Sequence, residues 1–262
     1  MTATGVRDDS PNLLLIGIGP GDPKQITIEA IEAMREADVF FVLDKGEHKH
    51  TLLALRREIC ERYIPEGGYR FVEIPDPPRD RHPDDYTAEV RAWHDGRLAK
   101  IEEAFAAELA DGQVGAFLVW GDPALYDSTL RIVEQIAEAG RFPVRYRVIP
   151  AVSSISALAA AHRILLNRIG EPIHITTGRR LLLDRGGDTN QVVMLDSGCS
   201  FLEVAEPDDH IWWGAYLGTD EEILICGTVA EVGQLIKVTR EEARIRIGWI
   251  LDVYLLRKPE YR

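Results

Sequence analysis

The stretch Gly17-Ile18-Gly19-Pro20-Gly21-Asp22-Pro23 follows directly on the apolar run Leu13-Leu14-Leu15-Ile16. Glycines at a strand end let the backbone turn sharply and come close to a ligand. Gly17, Gly19 and Gly21 are spaced G-x-G-x-G, whereas a dinucleotide fold needs G-x-G-x-x-G, and Pro20 and Pro23 have no amide proton to offer. No Gly-Lys-Ser/Thr pattern marks a phosphate loop. Alone, the segment fits a tight strand-to-helix turn as well as a ligand loop. A second loop, Trp120-Gly121-Asp122-Pro123-Ala124-Leu125-Tyr126, also closes an apolar run. Ligands of open α/β sheets collect at the carboxyl ends of strands, where this backbone and Asp122 could bond one. Asp122 could equally bond its own turn. A third segment, Val148 to Ser156, opens an alanine-rich helix at Ser153 and Ser154. Capping is the simpler role for these hydroxyls, yet the same helix end presents free amides to a polar ligand.

Metal chemistry finds no support in the spacing. His48 and His50 lie in the charged run Glu47-His48-Lys49-His50, which reads as a solvated loop, and no H-x-x-x-H or C-x-x-C cluster occurs. Cys60, Cys199 and Cys226 are odd in number and far apart, as in a reducing compartment. The first eleven residues lack the apolar segment of a signal peptide, and no run approaches the ~18–20 apolar residues of a membrane span. The expected compartment is the cytoplasm. Across 262 residues, Lys+Arg 30 against Asp+Glu 43 leave a net charge of −13, which argues against nucleic acid as the main partner. A few arginines in one cleft could still attract an anionic small molecule.

These loops need strands and helices to hold them. Apolar runs at Leu13–Ile16, Val39–Leu43, Tyr69–Ile74, Val114–Trp120 and Tyr146–Ile149 alternate with helical patterns at Ile26–Ala37, Thr51–Tyr63, Asp84–Leu109 and Ser128–Gly140. Continuous apolar strands with helical crossovers predict a mostly parallel sheet. After a helix at Ser153–Ile164, strands at Ile173–Thr177, Val192–Leu195, Ile211–Leu217, Ile223–Val229 and Ile245–Leu256 follow more closely, which favours a mixed sheet. Residues 1–11 are expected to be a tail, 12–150 one α/β domain and 151–262 a second, each with five strands. Pro75, Pro77 and Pro78 stiffen a loop, and Arg185–Asn190 is expected to be exposed.

Taken together, the three loops resemble the tetrapyrrole (corrin and porphyrin) methyltransferases that use S-adenosylmethionine. Members begin with a strand and a G-x-G-P-G-D-P loop, then a helix ending Ala-Asp-Val, here Gly17–Pro23 and Ala37-Asp38-Val39. A later Gly-Asp-Pro loop closing on an aromatic residue corresponds to Gly121-Asp122-Pro123 and Tyr126. A Pro-Gly-x-Ser-Ser helix start corresponds to Pro150–Ser154, with Ala151 in place of glycine. Trp120 also departs from the glycine of many members. Val119–Thr129, Leu166–Pro172, Ile175–Arg179 and Leu217–Glu222 resemble the aerobic cobalamin branch, in which methylation of a corrin precursor is coupled to loss of an acetyl group as acetate.

The resemblance implies two α/β domains, a cofactor cleft between them, and commonly a homodimer. It implies cofactor contacts at Pro20, Gly121, Asp122, Leu125 and Tyr126, then at Ser153 and Ser154, and in the second domain near Met194, Leu195 and Ala215. Asp44, after the second strand, is the first candidate for a base in acetyl release, although the substrate's own electronics could suffice. Arg168 and Arg179, with Arg79, Arg81 and Arg180, are candidates for the carboxylate arms of the macrocycle. Such a reaction needs alignment of nucleophile, methyl and sulfur with water excluded, and no metal. The alternatives are a methyltransferase for another ring position, a nucleotide-binding oxidoreductase using the first glycine loop, and a binding module without turnover.

Overall fold

The apolar runs of the first half alternate their side chains between two covered faces. In the computed structural model, which describes residues 12–44, 50–77, 86–185, 187 and 189–259, they form β1 (Asn12–Gly17), β2 (Val39–Asp44), β3 (Arg70–Pro75), β4 (Val114–Val119) and β5 (Arg145–Ile149). The sheet order is β3-β2-β4-β1-β5 and every pairing is parallel. Leu14, Ile16, Phe40, Ala116 and Leu118 point to α1 (Ile28–Glu36) and α2 (His50–Tyr63), burying Ala33, Met34 and Ile59. Leu13, Leu15, Phe41, Phe117 and Val119 point the other way, to α3 (Tyr86–Glu108) and α4 (Thr129–Ala139), burying Phe105 and Ile132. The period-2 alternation of each strand thus feeds two cores. Thr27 starts α1 by accepting the Ala30 N–H at 3.1 Å, and left-handed Gly140 ends α4.

This winding defines where a ligand can sit. The chain leaves β1 and β2 toward the α1/α2 face but leaves β4 toward the other. Adjacent strands whose connections part to opposite faces open a crevice at their carboxyl ends. β2 and β4 pair only over Val39–Phe41 and Gly115–Phe117, and separate toward that same edge.

The second unit runs from Val152 onward and also takes in Pro20–Asp22. Its strands are β6 (His174–Thr177), β7 (Asn190–Met194), β8 (His210–Ala215), β9 (Ile223–Thr228) and β10 (Asp252–Arg257), in the order β6-β7-β10-β8-β9. β6 and β7 are parallel and the other pairings antiparallel, so the sheet is mixed. One face packs Val193, Trp213 and Tyr254 against α6 (Gly178–Asp184), α7 (Phe201–Val204) and α8 (Val229–Ile247). On the other face lies α5 (Ser154–His162), close enough that a Cβ on Gly214 would come within 2.9 Å of Leu158.

Three expectations from sequence need correction. Ile245 and Ile247 belong to α8, not to the last strand, which begins at Asp252. Arg244-Ile245-Arg246-Ile247 alternates like a strand, but the Thr228/Glu231 capping box starts a helix that runs on to left-handed Gly248. Asn190 is buried within β7 rather than exposed: its amide donates to Glu171 at 2.8 Å and accepts from Arg257 at 2.8 Å. β8 ends at Ala215, because Tyr216 turns left-handed. Among the described residues no helix is long and apolar enough to cross a membrane.

Candidate functional site

At the carboxyl edge of the first sheet, the continuations of β1 and β4 pair with each other. Ile18 N–H donates to Val119 O at 3.0 Å, Gly19 N–H to Gly121 O at 3.3 Å, and Gly121 N–H to Gly19 O at 2.9 Å. Gly19 and Gly121 are both left-handed, with φ of 79° and 74°. Nothing lies within 4 Å of where a Cβ on Gly121 would stand, so bare backbone faces open space there. Gly17 is the opposite case: a Cβ would fall 2.6 Å from the Ala151 methyl and 2.8 Å from Pro123. The alanine at 151 therefore packs on the glycine at 17.

Asp122 holds this loop together. Its Oδ1 accepts the Ala124 N–H at 2.8 Å and its Oδ2 accepts the Ala151 N–H at 2.8 Å. The local turn read from sequence is present, and a tie to the Pro150–Ala151 segment is added. Leu125 N–H donates to Asp122 O at 3.1 Å, and Tyr126 follows with φ of 54° and a ring 47% exposed. The backbone of Asp44 ends β2 opposite Pro75, while its side chain lies outside the described residues, as do Arg79 and Arg81.

Two arginines at this edge went unanticipated. Arg56 of α2 donates Nε to Leu118 O at 2.9 Å, beyond the point where β2 stops pairing with β4. Burial pulls its guanidinium down to about 10, with the charge of Asp127 opposing the shift. Arg97 of α3 is buried, donates twice to Asp76 at 2.8 Å, and lies 4.3 Å from the centre of the Trp93 ring. Neither arginine stands in a motif. Only the fold brings them to the edge.

In the second unit, Pro20–Asp22 lies against the turn that follows β8. A Cβ on Gly21 would come within 2.5 Å of Leu217 O, so only glycine fits. That turn bonds to itself: Thr219 donates through N–H and Oγ1 to Tyr216 O, and Gly218 N–H reaches Glu222 at 2.8 Å. Ser153 caps α5 by accepting the Ser156 N–H at 3.2 Å, and Ser154 is the first residue of that helix. Met194 ends β7, and Leu195 follows with φ of 52° and a side chain 59% exposed. Ala215 ends β8, and Tyr216 follows with φ of 51°. β7 and β8 flank antiparallel β10, so these two strand ends share one edge of the sheet, with Asp252 between them.

A non-glycine residue at positive φ is costly and tends to mark functional positions. Six occur among the described residues: Arg163 and Arg185 are helix caps and Cys199 precedes α7, leaving Leu195 and Tyr216 directly after strand ends and Tyr126 in the loop between β4 and α4. Tyr126 and Leu195 are expected cofactor positions, and Tyr216 adjoins a third. The arginines expected to hold substrate divide. Arg168 donates to Lys258 O at 2.5 Å and lies 4.0 Å from Glu171, whereas Arg179 is exposed on the first turn of α6. Arg180 is paired with Asp184 at 2.9 Å.

The dinucleotide alternative fails on geometry. The Ile18 and Gly19 amides are spent on β4, Pro20 has none, and Gly21 is pressed against Leu217, so no cradle of free amides faces a pyrophosphate. Among the described residues no group of three or more His, Cys, Asp or Glu could hold a metal ion.

Residues 12–233 match the family of Tetrapyrrole (Corrin/Porphyrin) Methylases. The chain is 47% identical over 261 residues to a protein named precorrin-6A synthase (deacetylating) from a Sinorhizobium species, covering 98% of each. Its fold matches the cobalamin-synthesis-related protein CobF of Corynebacterium diphtheriae with a TM-score of 0.82, 38% identity, and coverage of 96% of this chain and 100% of that one. It also shares a fold, at 18% identity and a TM-score of 0.58, with a uroporphyrin-III C-methyltransferase of Thermus thermophilus complexed with S-adenosylhomocysteine, over 94% and 97% of the two chains. The chain belongs to the tetrapyrrole (corrin/porphyrin) methylases.

Proposed function

We propose that the chain is an S-adenosylmethionine-dependent C-methyltransferase of cobalamin biosynthesis, methylating precorrin-5 at C-1 and releasing the acetyl group as acetate to give precorrin-6A. The observation that carries this reading is the end-to-end similarity, at 47% identity, to the precorrin-6A synthase (deacetylating). When bound, S-adenosylmethionine supplies a methyl group on a sulfonium, whose sulfur leaves with the bonding electrons as the carbon nucleophile attacks. Water adds to the acetyl carbonyl, the bond from that carbon to the ring breaks with its electron pair left on the ring carbon, and the acetyl group departs as acetate.

The residues present fit such a cofactor. Gly121 leaves bare backbone beside open space, and Tyr126 and Leu195, both left-handed, expose large side chains. A flat heterocycle with polar ends calls for apolar surface and free backbone groups, and each unit offers its own share of these. Contacts are assigned to Gly121, Leu125 and Tyr126 in the first unit, with Asp122 holding their loop. In the second they are assigned to Pro20, Ser153, Ser154, Met194, Leu195 and Ala215. What the chain contributes is alignment, since the methyl already carries its leaving group. Asp44 is assigned as the base for acetyl release. Arg179 is the better placed of the two arginines for a carboxylate arm, because Arg168 already serves the Lys258 carbonyl.

A homodimer in the cytoplasm completes the proposal. Supporting it are the exposed apolar side chains of Leu165, Ile169 and Ile175, and three cysteines that are all free thiols. The test is incubation with methyl-labelled cofactor and precorrin-5, followed by mass analysis. Methyl gain with stoichiometric acetate is expected. Methyl gain without acetate would reassign the ring position, and no transfer would refute the reading.

A further inference from the structure

Directly behind the strained end of β7 lies a buried ionic network. Asp196 is 4% exposed, and its carboxylate accepts four hydrogen bonds: from Gly198 N–H at 3.1 Å, Ser200 N–H at 2.7 Å, Ser200 Oγ at 2.8 Å and Tyr254 OH at 2.7 Å. A Cβ on Gly178 would fall 2.5 Å from this carboxylate, so the acid sits flush against bare backbone. On the main-chain side, Arg240 of α8 donates to Asp196 O at 2.9 Å and to Ser197 O at 3.3 Å. Its Nε donates to Asp252 at 2.9 Å, and Asp252 also accepts Trp213 Nε1 at 3.0 Å.

Burying two carboxylates and a guanidinium is a poor way to stabilise a fold, because desolvation offsets most of their attraction. Such a network does specify one arrangement of whatever it bonds. Here it bonds the two residues that follow Leu195, and Asp252 stands opposite Ala215 in the β10–β8 register. We propose that Asp196, Arg240, Asp252 and Tyr254 are positioning residues for the cofactor: they clamp the Leu195–Ser197 main chain so that Leu195 keeps its left-handed conformation and the end of β7 is preformed for S-adenosylmethionine. This rests on the function proposed above. A loop held in its binding conformation before the ligand arrives spares the ligand the cost of ordering it.

The test uses the full chain and two variants, Tyr254→Phe, which deletes only the hydroxyl on Asp196, and Arg240→Gln. Phe105→Leu, in the core of the first unit, controls for general destabilisation. Amide hydrogen exchange of the ligand-free proteins and titration with S-adenosylhomocysteine are both run well below the melting temperature. Both network variants should exchange faster at Leu195–Gly198 and bind S-adenosylhomocysteine about tenfold more weakly, the effect of about one hydrogen bond to a charged group. Phe105→Leu should do neither. Should Arg240→Gln fail to fold, Tyr254→Phe decides alone. Wild-type exchange and affinity in Tyr254→Phe, or an equal loss in the control, would overturn the proposal while leaving the methyltransferase reading intact. Failure of the unmodified protein to bind S-adenosylhomocysteine would sink both.

Discussion

Replacing Asp122 by asparagine isolates what its carboxylate does. The two oxygens accept from Ala124 N–H and Ala151 N–H, both at 2.8 Å. An asparagine of the same shape has one accepting oxygen, so in either orientation its NH2 group faces a backbone N–H. One bond to a charged acceptor is lost and either the Ala124 or the Ala151 N–H is left facing the amide NH2, which costs about 1.5–3 kcal/mol. For a protein of this size each kcal/mol lowers the melting temperature by about 2–4 °C, so a drop of roughly 3–12 °C is expected by differential scanning calorimetry. Loosening either tie also frees the Gly121–Tyr126 loop. If about 1.4 kcal/mol of reordering then falls on the binding step, affinity for S-adenosylhomocysteine drops about tenfold in a calorimetric titration. Asp122→Ala removes both acceptors and should lose at least as much. An asparagine variant that melts and binds like the parent would show that the carboxylate does not bridge these segments.

Two further outcomes can be checked directly. Burial pushes the Cys60 thiol up to about 12 and Cys199 to about 11, while Cys226 is exposed. At pH 8 an aromatic disulfide reagent should therefore titrate a single thiol in the native protein and three after denaturation; rapid labelling of a second native thiol would contradict the packing around the buried pair. Glu231 has its pKa lowered by hydrogen bonds from the Thr228 backbone and side chain that cap α8. A depressed carboxylate stabilises the fold above its unfolded pKa and loses that contribution as pH falls through the folded value. The melting-temperature gap between the parent and Glu231→Gln should therefore be present at pH 7 and shrink below the ordinary value of 4.5. A gap unchanged down to pH 3 would mean that the carboxylate charge plays no part in the cap.

Much of the scaffold could be read from local chemistry. The first sheet was legible because Leu13–Ile16 and Val39–Val42 are short runs that are apolar at every position, as strands covered on both faces are. The second half was harder. Arg244–Ile247 alternates with a strand's period inside a helix, and only the Thr228/Glu231 box, sixteen or so residues upstream, marks the start of α8. Among the site residues, Gly121 and Asp122 stood out through their turn chemistry. Tyr126, Leu195 and Tyr216 are left-handed without a glycine to mark the turn, and Tyr216 is tied to distant chain through the Leu251 and Trp249 carbonyls. The same holds for Asp196 and Arg240, which meet across 44 positions of chain. An Asp-Ser-Gly turn is visible at 196–198, but nothing nearby names the guanidinium that closes it.

The assignment of Pro20–Asp22 to the second unit bears on how the gene can be dissected. A fragment expressed from Val152 onward would lack the strip of main chain that rests on Leu217 and Thr219, leaving that turn uncovered. During synthesis the turn after β8 likewise acquires its cover from residues that left the ribosome long before it. A swap of C-terminal halves between paralogues should therefore carry residues 20–22 along with it.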